Sequence, residues 1–406
     1  MTVKDKVKSV VLSNIIDFKS KKIGIEEECI IYNEKGNRLP VNKGTHFSST
    51  ELLEIINNKS KKNGLYTIEP GGQLEWSSRP HRNLKNLDNS FQKHKSILLE
   101  LVEEYKLKLI SYATEPNFSP ENIDLIKQSK YQVMDKHMQK KGTLGKWMMR
   151  NSASIQINFD IAGQQDIEEM AFIADCLHPI AAYLFSNSPF KMGEPVGVKN
   201  LRNIIWEDTD VDRCRNLFDH KIVSSSGLLD SYIDYFLKVP ALFDINEQNQ
   251  YNITDNTIGE NLQRLEDKNK LYEKDIKVAL QQIFTNVRLK HVLEVRGCDR
   301  TPFGFELAPV SFWVGILTDL KTRNEVIEVL KKWSTKDRYH FNKSASILDD
   351  SQEGPMGKSY RYWNKWASQL SLDGLRNRKN GEEVYLETFL ESVFKNGPYS
   401  IQLQLN

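Results

Sequence analysis

Four stretches of the chain alternate polar and apolar residues with a period of two. That pattern predicts half-buried strands, in which alternate side chains share a face. In residues 23–30, one face carries Glu26 and Glu28 and the other carries Ile25, Glu27 and Cys29. In residues 67–76, Glu69, Gln73 and Glu75 are evenly spaced, and Pro70-Gly71-Gly72 predicts a bulge within the strand. Residues 152–160 set Ser154, Gln156, Asn158 and Asp160 against Ile155, Ile157 and Phe159. Residues 291–297 place Glu294 and Arg296 opposite Leu293 and Val295.

Helical patterns run between these strands. Leu84, Leu87, Phe91, Leu98, Leu101 and Tyr105 recur at helical spacing and predict an amphipathic helix over 83–106, with His94 packed on its apolar side. Asp166 is placed to cap a helix that reaches about Phe185 and kinks at Pro179. Residues 323–333 and 359–372 also read as helices, and Tyr360, Tyr362, Trp363 and Trp366 read as core rather than as a platform for bases. The polar stretches 246–274 and 334–358 read as long loops or insertions. Strands and helices alternate without a repeat or a flexible linker, so residues 1–406 are expected to form one α+β domain.

Composition narrows the function classes. Lys and Arg total 56 against 54 Asp and Glu, a net charge of +2, which argues against nucleic-acid binding as the main task. The longest apolar run, about residues 307–317, is shorter than the ~20 residues of a membrane span. The first residues mix Lys4, Asp5, Lys6 and Lys8 and match neither a signal peptide nor a transit segment, so a cytoplasmic location is expected. Cys29, Cys176, Cys214 and Cys298 lack CxxC spacing and are expected to be reduced, buried thiols rather than zinc ligands.

The unusual feature is the polar face of the strands. A solvated strand face is the simplest account, but such a face normally mixes Lys, Thr and Ser. Here the first two segments are rich in Glu and lack Lys on that face. Carboxylates gathered on one sheet repel one another unless cations sit between them. Hard oxygen donors suit Mg²⁺ or Mn²⁺, and magnesium at a protein site commonly accompanies phosphate. Arg296 shares a face with Glu294 and would suit that phosphate. Nucleotide binding would have to proceed without a P-loop, because Gly142-Thr143-Leu144-Gly145-Lys146 is followed by Trp147 and has the wrong spacing. GxGxxG, GxSxG and HExxH are also missing.

Several segments resemble the glutamate–cysteine ligase family of the plant and proteobacterial type. Ile23-Gly24-Ile25-Glu26-Glu27-Glu28 resembles its first-strand motif, and Glu69-Pro70-Gly71-Gly72-Gln73-Leu74-Glu75 resembles its EPGGQxE signature. Tyr131, Met134, Met138 and residues 142–149 follow in order, then Asn187-Ser188-Pro189-Phe190, Arg202 through Trp206 to Asp208-Thr209-Asp210, and Leu293-Glu294-Val295-Arg296-Gly297 with Asp299. Phe312-Trp313-Val314-Gly315 and Gly374-Leu375-Arg376 complete the series, which spans about residues 22 to 395. The chain departs from the family pattern at Gln128-Ser129-Lys130-Tyr131 and at Arg150-Asn151-Ser152-Ala153-Ser154.

The resemblance implies a glutamine synthetase-like fold: a cupped antiparallel β-sheet with helices on its outer face. It implies ATP-dependent joining of the glutamate γ-carboxylate to the amine of cysteine through a γ-glutamyl phosphate. Expected metal ligands are Glu26, Glu28, Glu69, Glu75, Gln156 and Glu294. Arg296 is expected to stabilise the transferring phosphoryl group. Arg202 and Trp206 are expected to hold glutamate, with Arg150 as a second carboxylate binder. Asp160 and Asp299 are candidates for the base. The expected partners are glutamate, cysteine and ATP, with Mg²⁺ or Mn²⁺, and no nucleic acid or membrane, in a monomer or homodimer. Competing readings are a relative with another amine acceptor, a metal-dependent hydrolase or glycosidase using paired carboxylates, and a catalytically inert nucleotide-binding scaffold.

Overall fold

The structure, a computed structural model, describes residues 1–60, 63–245 and 250–405. The alternating segments form strands of one seven-stranded antiparallel sheet: β1 (Ile23–Tyr32), β2 (Leu65–Ile68), β3 (Leu74–Ser77), β4 (Lys108–Ile110), β5 (Ser154–Phe159), β6 (Val287–Leu289) and β7 (Leu293–Asp299). The spatial order is β6-β7-β5-β1-β3-β2, with β4 paired to the end of β1. The register aligns Glu28 with Glu75, Glu26 with Gln156 and Glu294 with Asn158, so these side chains share one face. A register shift between Val295 and Cys298 bends β7 after Arg296.

The opposite face is the core. Ile25, Ile155, Ile157, Phe159, Leu293 and Val295 are each at most 2% exposed, and burying such a side chain contributes about 1.5–3 kcal/mol. Helix Leu84–Glu104 covers part of this face, capped by Asn83, and His94 stacks on Trp76 with ring centroids 4.5 Å apart. His94 is therefore a packed histidine, as its position on the apolar stripe predicts. Glu27 also points into this layer. Burial alone would raise its pKa, but Arg300 at 2.9 Å and His94 at 3.3 Å hold it down at about 2. Helices Ala308–Thr318 and Tyr360–Asn377 cross at Gly315 and Gly374. A β-carbon on Gly374 would lie 2.0 Å from the Gly315 carbonyl oxygen, so only glycine permits the crossing.

Several expectations are corrected. Residues 67–76 form a hairpin rather than one bulged strand. Gly72 donates to the Glu69 carbonyl at 2.9 Å with φ +82°, closing a tight turn that Pro70 starts. Helix Gln164–Leu184 begins after Gly163. Asp166 lies inside its first turn, where it accepts the Ala162 N–H and pairs with Lys21 and Arg323, each at 2.7 Å. The stretches read as loops contain helices Ile258–Asp267 and Thr335–Ser344, each opened by a complete capping box, Thr257 with Glu260 and Ser334 with Asp337. Residues 246–249 of the first stretch lie outside the described residues. The other two helices run Leu320–Leu330 and Tyr360–Asn377. All four cysteines are buried and unpaired by disulfides, as expected. Among the described residues no helix is long and apolar enough to cross a membrane.

Candidate active site

The polar face of the sheet floors a cavity of about 370 Å³. Glu26, Glu28, Glu69, Glu75 and Gln156 line one side, and Arg288, Lys290 and Arg296 line the other. Lys130, Tyr131 and Met134 from helix Ser129–Lys141 also line it, as does Trp206 from helix Leu201–Glu207.

The acidic side is under electrostatic stress. Glu28 accepts the Ser154 N–H at 2.7 Å and the Gln156 amide at 3.0 Å, yet burial and then the Glu69 carboxylate push its pKa up to about 7. Burial raises Glu69 against the pull of Lys130 and Arg296. Glu75, which accepts from Thr67 at 2.7 Å, is driven well above the carboxylate range by burial and by Glu69, Glu26 and Glu28. Glu26 accepts from Asn158 at 3.0 Å. All-oxygen donors that resist joint ionisation fit a hard divalent cation. They are convergent but not assembled: among the described residues no three His, Cys, Asp or Glu side chains form a ready-made metal shell.

The basic side is organised by Glu294. Its carboxylate, fully buried, is gripped by Arg288 through both oxygens, by Lys290 at 3.0 Å and by Arg296 at 3.3 Å. Burial alone would raise its pKa, but these three cations hold it well below the carboxylate range. Gln156 is similarly engaged, since its carbonyl accepts from Arg296 and its amide donates to Glu28. Both residues thus already have protein partners. Glu294 lies on the predicted face as the counter-ion of a cationic trio, and Gln156 bridges the acidic and basic sides.

Two guanidinium groups lie over the Trp206 ring, Arg202 at 5.5 Å and Arg296 at 6.0 Å from its centroid. Arg202 is 4% exposed, lies just behind Trp206 without itself lining the cavity, and is braced by the carbonyls of Gly297 and Arg296 and by Asp299 at 3.7 Å. Nε of Arg202, Nε of Arg296 and the indole Nε1 of Trp206 are buried without a partner. A buried unsatisfied donor costs about 1–3 kcal/mol, so each of the three is a donor available to a ligand.

Other candidates are placed elsewhere. Arg150 does not line the cavity. It pairs with Asp135 at 2.8 Å and donates to the carbonyls of Pro120 and Ile123, tying together segments behind the site. Asp299 accepts the Asn187 N–H at 2.8 Å and the Ser188 hydroxyl at 2.6 Å, clamping the Asn187-Ser188 turn to β7. Asp160 accepts the Lys22 N–H at 3.0 Å at the far end of β5. Neither aspartate lines the cavity. Lys130, Arg288 and Lys290 were not among the expected site residues. Arg288 and Lys290 alternate with Val287 and Leu289, so the same period-two pattern marks them.

One sheet face thus sets clustered carboxylates beside three cations and an arginine–tryptophan pair. The model of glutamate–cysteine ligase family 2 matches residues 22–394. The chain belongs to the glutamate–cysteine ligase family. Its sequence is 29% identical over 362 residues to the chloroplastic glutamate–cysteine ligase A of Oryza sativa subsp. indica, covering 88% of this chain and 72% of the rice protein. It is 32% identical over 344 residues to the chloroplastic glutamate–cysteine ligase of Arabidopsis thaliana, covering 84% of this chain and 65% of the relative. The fold is similar to that of a Francisella tularensis glutamate–cysteine ligase crystallised with AMP, with TM-score 0.62, 13% identity, and coverage of 95% of this chain and 84% of that one. It is also similar to a bifunctional glutathione synthetase from Pasteurella multocida, with TM-score 0.53 and 14% identity; this chain spans 50% of that one. The plant relatives are chloroplastic by name, so they lend no support to a cytoplasmic location.

Proposed function

We propose that the protein joins the γ-carboxylate of glutamate to the amine of cysteine at the expense of ATP, through a γ-glutamyl phosphate. The observation that carries this reading is the convergence of Glu26, Glu28, Glu69 and Glu75 with Arg288, Lys290 and Arg296 on one cavity. The family's relatives named glutamate–cysteine ligase support the substrates. We also read the sheet as the cupped sheet of the glutamine synthetase-like superfamily, with its polar face in the cavity and helices behind it.

In this scheme Glu26, Glu28, Glu69 and Glu75 would hold Mg²⁺ or Mn²⁺, and the bound ion would supply neutralising charge to the triphosphate. Arg288, Lys290 and Arg296 bind phosphoryl oxygens and stabilise the charge on the group in transfer. Arg202 and the Trp206 N–H hold the α-carboxylate of glutamate, so that its γ-carboxylate lies in line with the nucleotide. Tyr131 and Met134 exclude water from the acyl phosphate. The amine attacks the γ-carbonyl carbon, phosphate leaves, and the departing phosphate takes the amine's proton.

A different amine acceptor is the second reading. It is favoured by Lys130, which lines the cavity in a segment where the chain departs from the family pattern. Both readings are tested by incubating the protein with ATP, Mg²⁺, glutamate and separate amines, following phosphate release and product mass. Phosphate release that requires glutamate and is fastest by kcat/KM with cysteine supports the first reading. A higher kcat/KM with alanine or another non-thiol amine supports the second, and turnover without nucleotide overturns both.

A further inference from the structure

A second cleft, of about 520 Å³, opens between helices Ile258–Asp267 and Glu273–Leu280. Its floor is apolar: Ile258, Leu262 and Ala279 are buried there, and Val278 is half-buried. Its rim is basic: among the described residues that line it, Arg264, Lys268 and Lys274 stand with Asp244 and Asp275. Both acids are engaged. Asp244 pairs with Arg264, and Asp275 accepts the Tyr272 N–H at 2.9 Å at the start of its helix. The cleft therefore presents apolar surface below and an excess of positive charge above. An organic anion with an apolar body satisfies both parts, because its body leaves water against the floor and its charge meets the lysines. A small inorganic anion would leave the floor bare, and a neutral apolar molecule would gain nothing from the rim.

The cleft shares a wall with the catalytic cavity. Phe243 lines both. Gln282, in the cleft, accepts the Leu242 N–H at 2.8 Å, and Leu242 lines the catalytic cavity. An occupant of the cleft thus touches the segment that borders the nucleotide and substrate site.

We propose that this cleft is a second binding site, for an organic anion with an apolar body, and that it is energetically coupled to the catalytic cavity through Leu242 and Phe243. Binding at the cleft does not depend on the ligase reading, so it is tested without turnover. The probe is 1-anilinonaphthalene-8-sulfonate, followed by fluorescence on the full chain. Its uncharged counterpart N-phenyl-1-naphthylamine controls for simple hydrophobic adsorption. The expected result is saturable binding at one site, about tenfold weaker for the neutral dye and for the K268E/K274E variant. Both substituted lysines are exposed and lie outside the catalytic cavity, so the variant keeps its fold and basal turnover. Saturating Mg²⁺ with a non-hydrolysable ATP analogue should shift the dye's Kd severalfold without abolishing binding, and the dye should shift the analogue's Kd by the same factor. Non-saturable binding, equal affinity for the two dyes, indifference to K268E/K274E, or full competition by the analogue would overturn the site. A dye Kd unmoved by the analogue would overturn the coupling.

Discussion

Replacing Glu28 with Gln tests whether the sheet carries its carboxylates against their own charge. Burial and Glu69 raise Glu28 from 4.5 to about 7 in the folded chain. A raised carboxyl binds its proton more tightly when folded than when unfolded. The metal-free protein therefore keeps this group's full contribution below pH 4.5 and loses stability as pH rises through 7. At ~1.4 kcal/mol per tenfold change in acidity, the loss is about 3 kcal/mol by pH 8. The substituted amide keeps an oxygen for the Ser154 N–H but opposes the Gln156 amide, which returns about 1 kcal/mol of cost. The variant should be about 2 kcal/mol more stable than the parent at pH 8 with chelator, an advantage that disappears near pH 4.5. Adding Mg²⁺ should reverse the order at pH 8, because the parent gains a ligand's worth of binding that the variant lacks. Urea unfolding at both pH values, with chelator and with Mg²⁺, reads all of this. A variant less stable than the parent at pH 8 without metal, or equal stabilisation of both by Mg²⁺, would refute the reasoning.

Three further substitutions separate the roles assigned above. Arg202→Lys should raise KM for glutamate about tenfold or more with a smaller change in kcat, because a lysine cannot reproduce the planar fork; Trp206→Phe, which keeps the ring and removes the N–H, should raise it less. Glu294→Gln should cost about 3 kcal/mol of metal-free stability by stranding Arg288, Lys290 and Arg296, whereas unchanged stability with weaker Mg²⁺ binding would make Glu294 a ligand instead. Arg38 donates to buried Glu115 at 3.0 Å and to the Gly71 carbonyl at 2.5 Å, tying down the turn next to Glu69. Arg38→Met should lower stability by about 3 kcal/mol and raise the Mg²⁺ concentration needed for half-maximal turnover.

The polar face was legible because strand periodicity is local: Glu26, Glu28, Glu75, Gln156 and Glu294 fall on one side whatever the strand order. Whether an acidic side chain on that face is free or gripped depends on its neighbours across the ladder. Glu294 lies opposite Arg288, a partner set by the hairpin register rather than by residues 291–297 themselves. The partners of Arg150 and Asp299 are hidden from the sequence for a similar reason. Their partners, Asp135 and the Asn187-Ser188 turn, are brought to them by the tertiary fold. The misread helices have a different cause. Ile258–Asp267 and Thr335–Ser344 are largely solvent-facing, so composition hides them, although their Thr-x-x-Glu and Ser-x-x-Asp openings mark the start of each. Pro70-Gly71-Gly72 suits a bulge and a hairpin turn equally. The Gly72 to Glu69 hydrogen bond and the antiparallel pairing of Leu65–Ile68 with Leu74–Ser77 distinguish them.

Crystals grown with Mn²⁺ and a non-hydrolysable ATP analogue, measured at the manganese edge, would locate the ions directly. The account predicts anomalous peaks within coordinating distance of Glu26, Glu28, Glu69 and Glu75, with the phosphate chain lying toward Arg288, Lys290 and Arg296. Manganese bound away from these carboxylates, or a nucleotide bound outside this cavity, would contradict it.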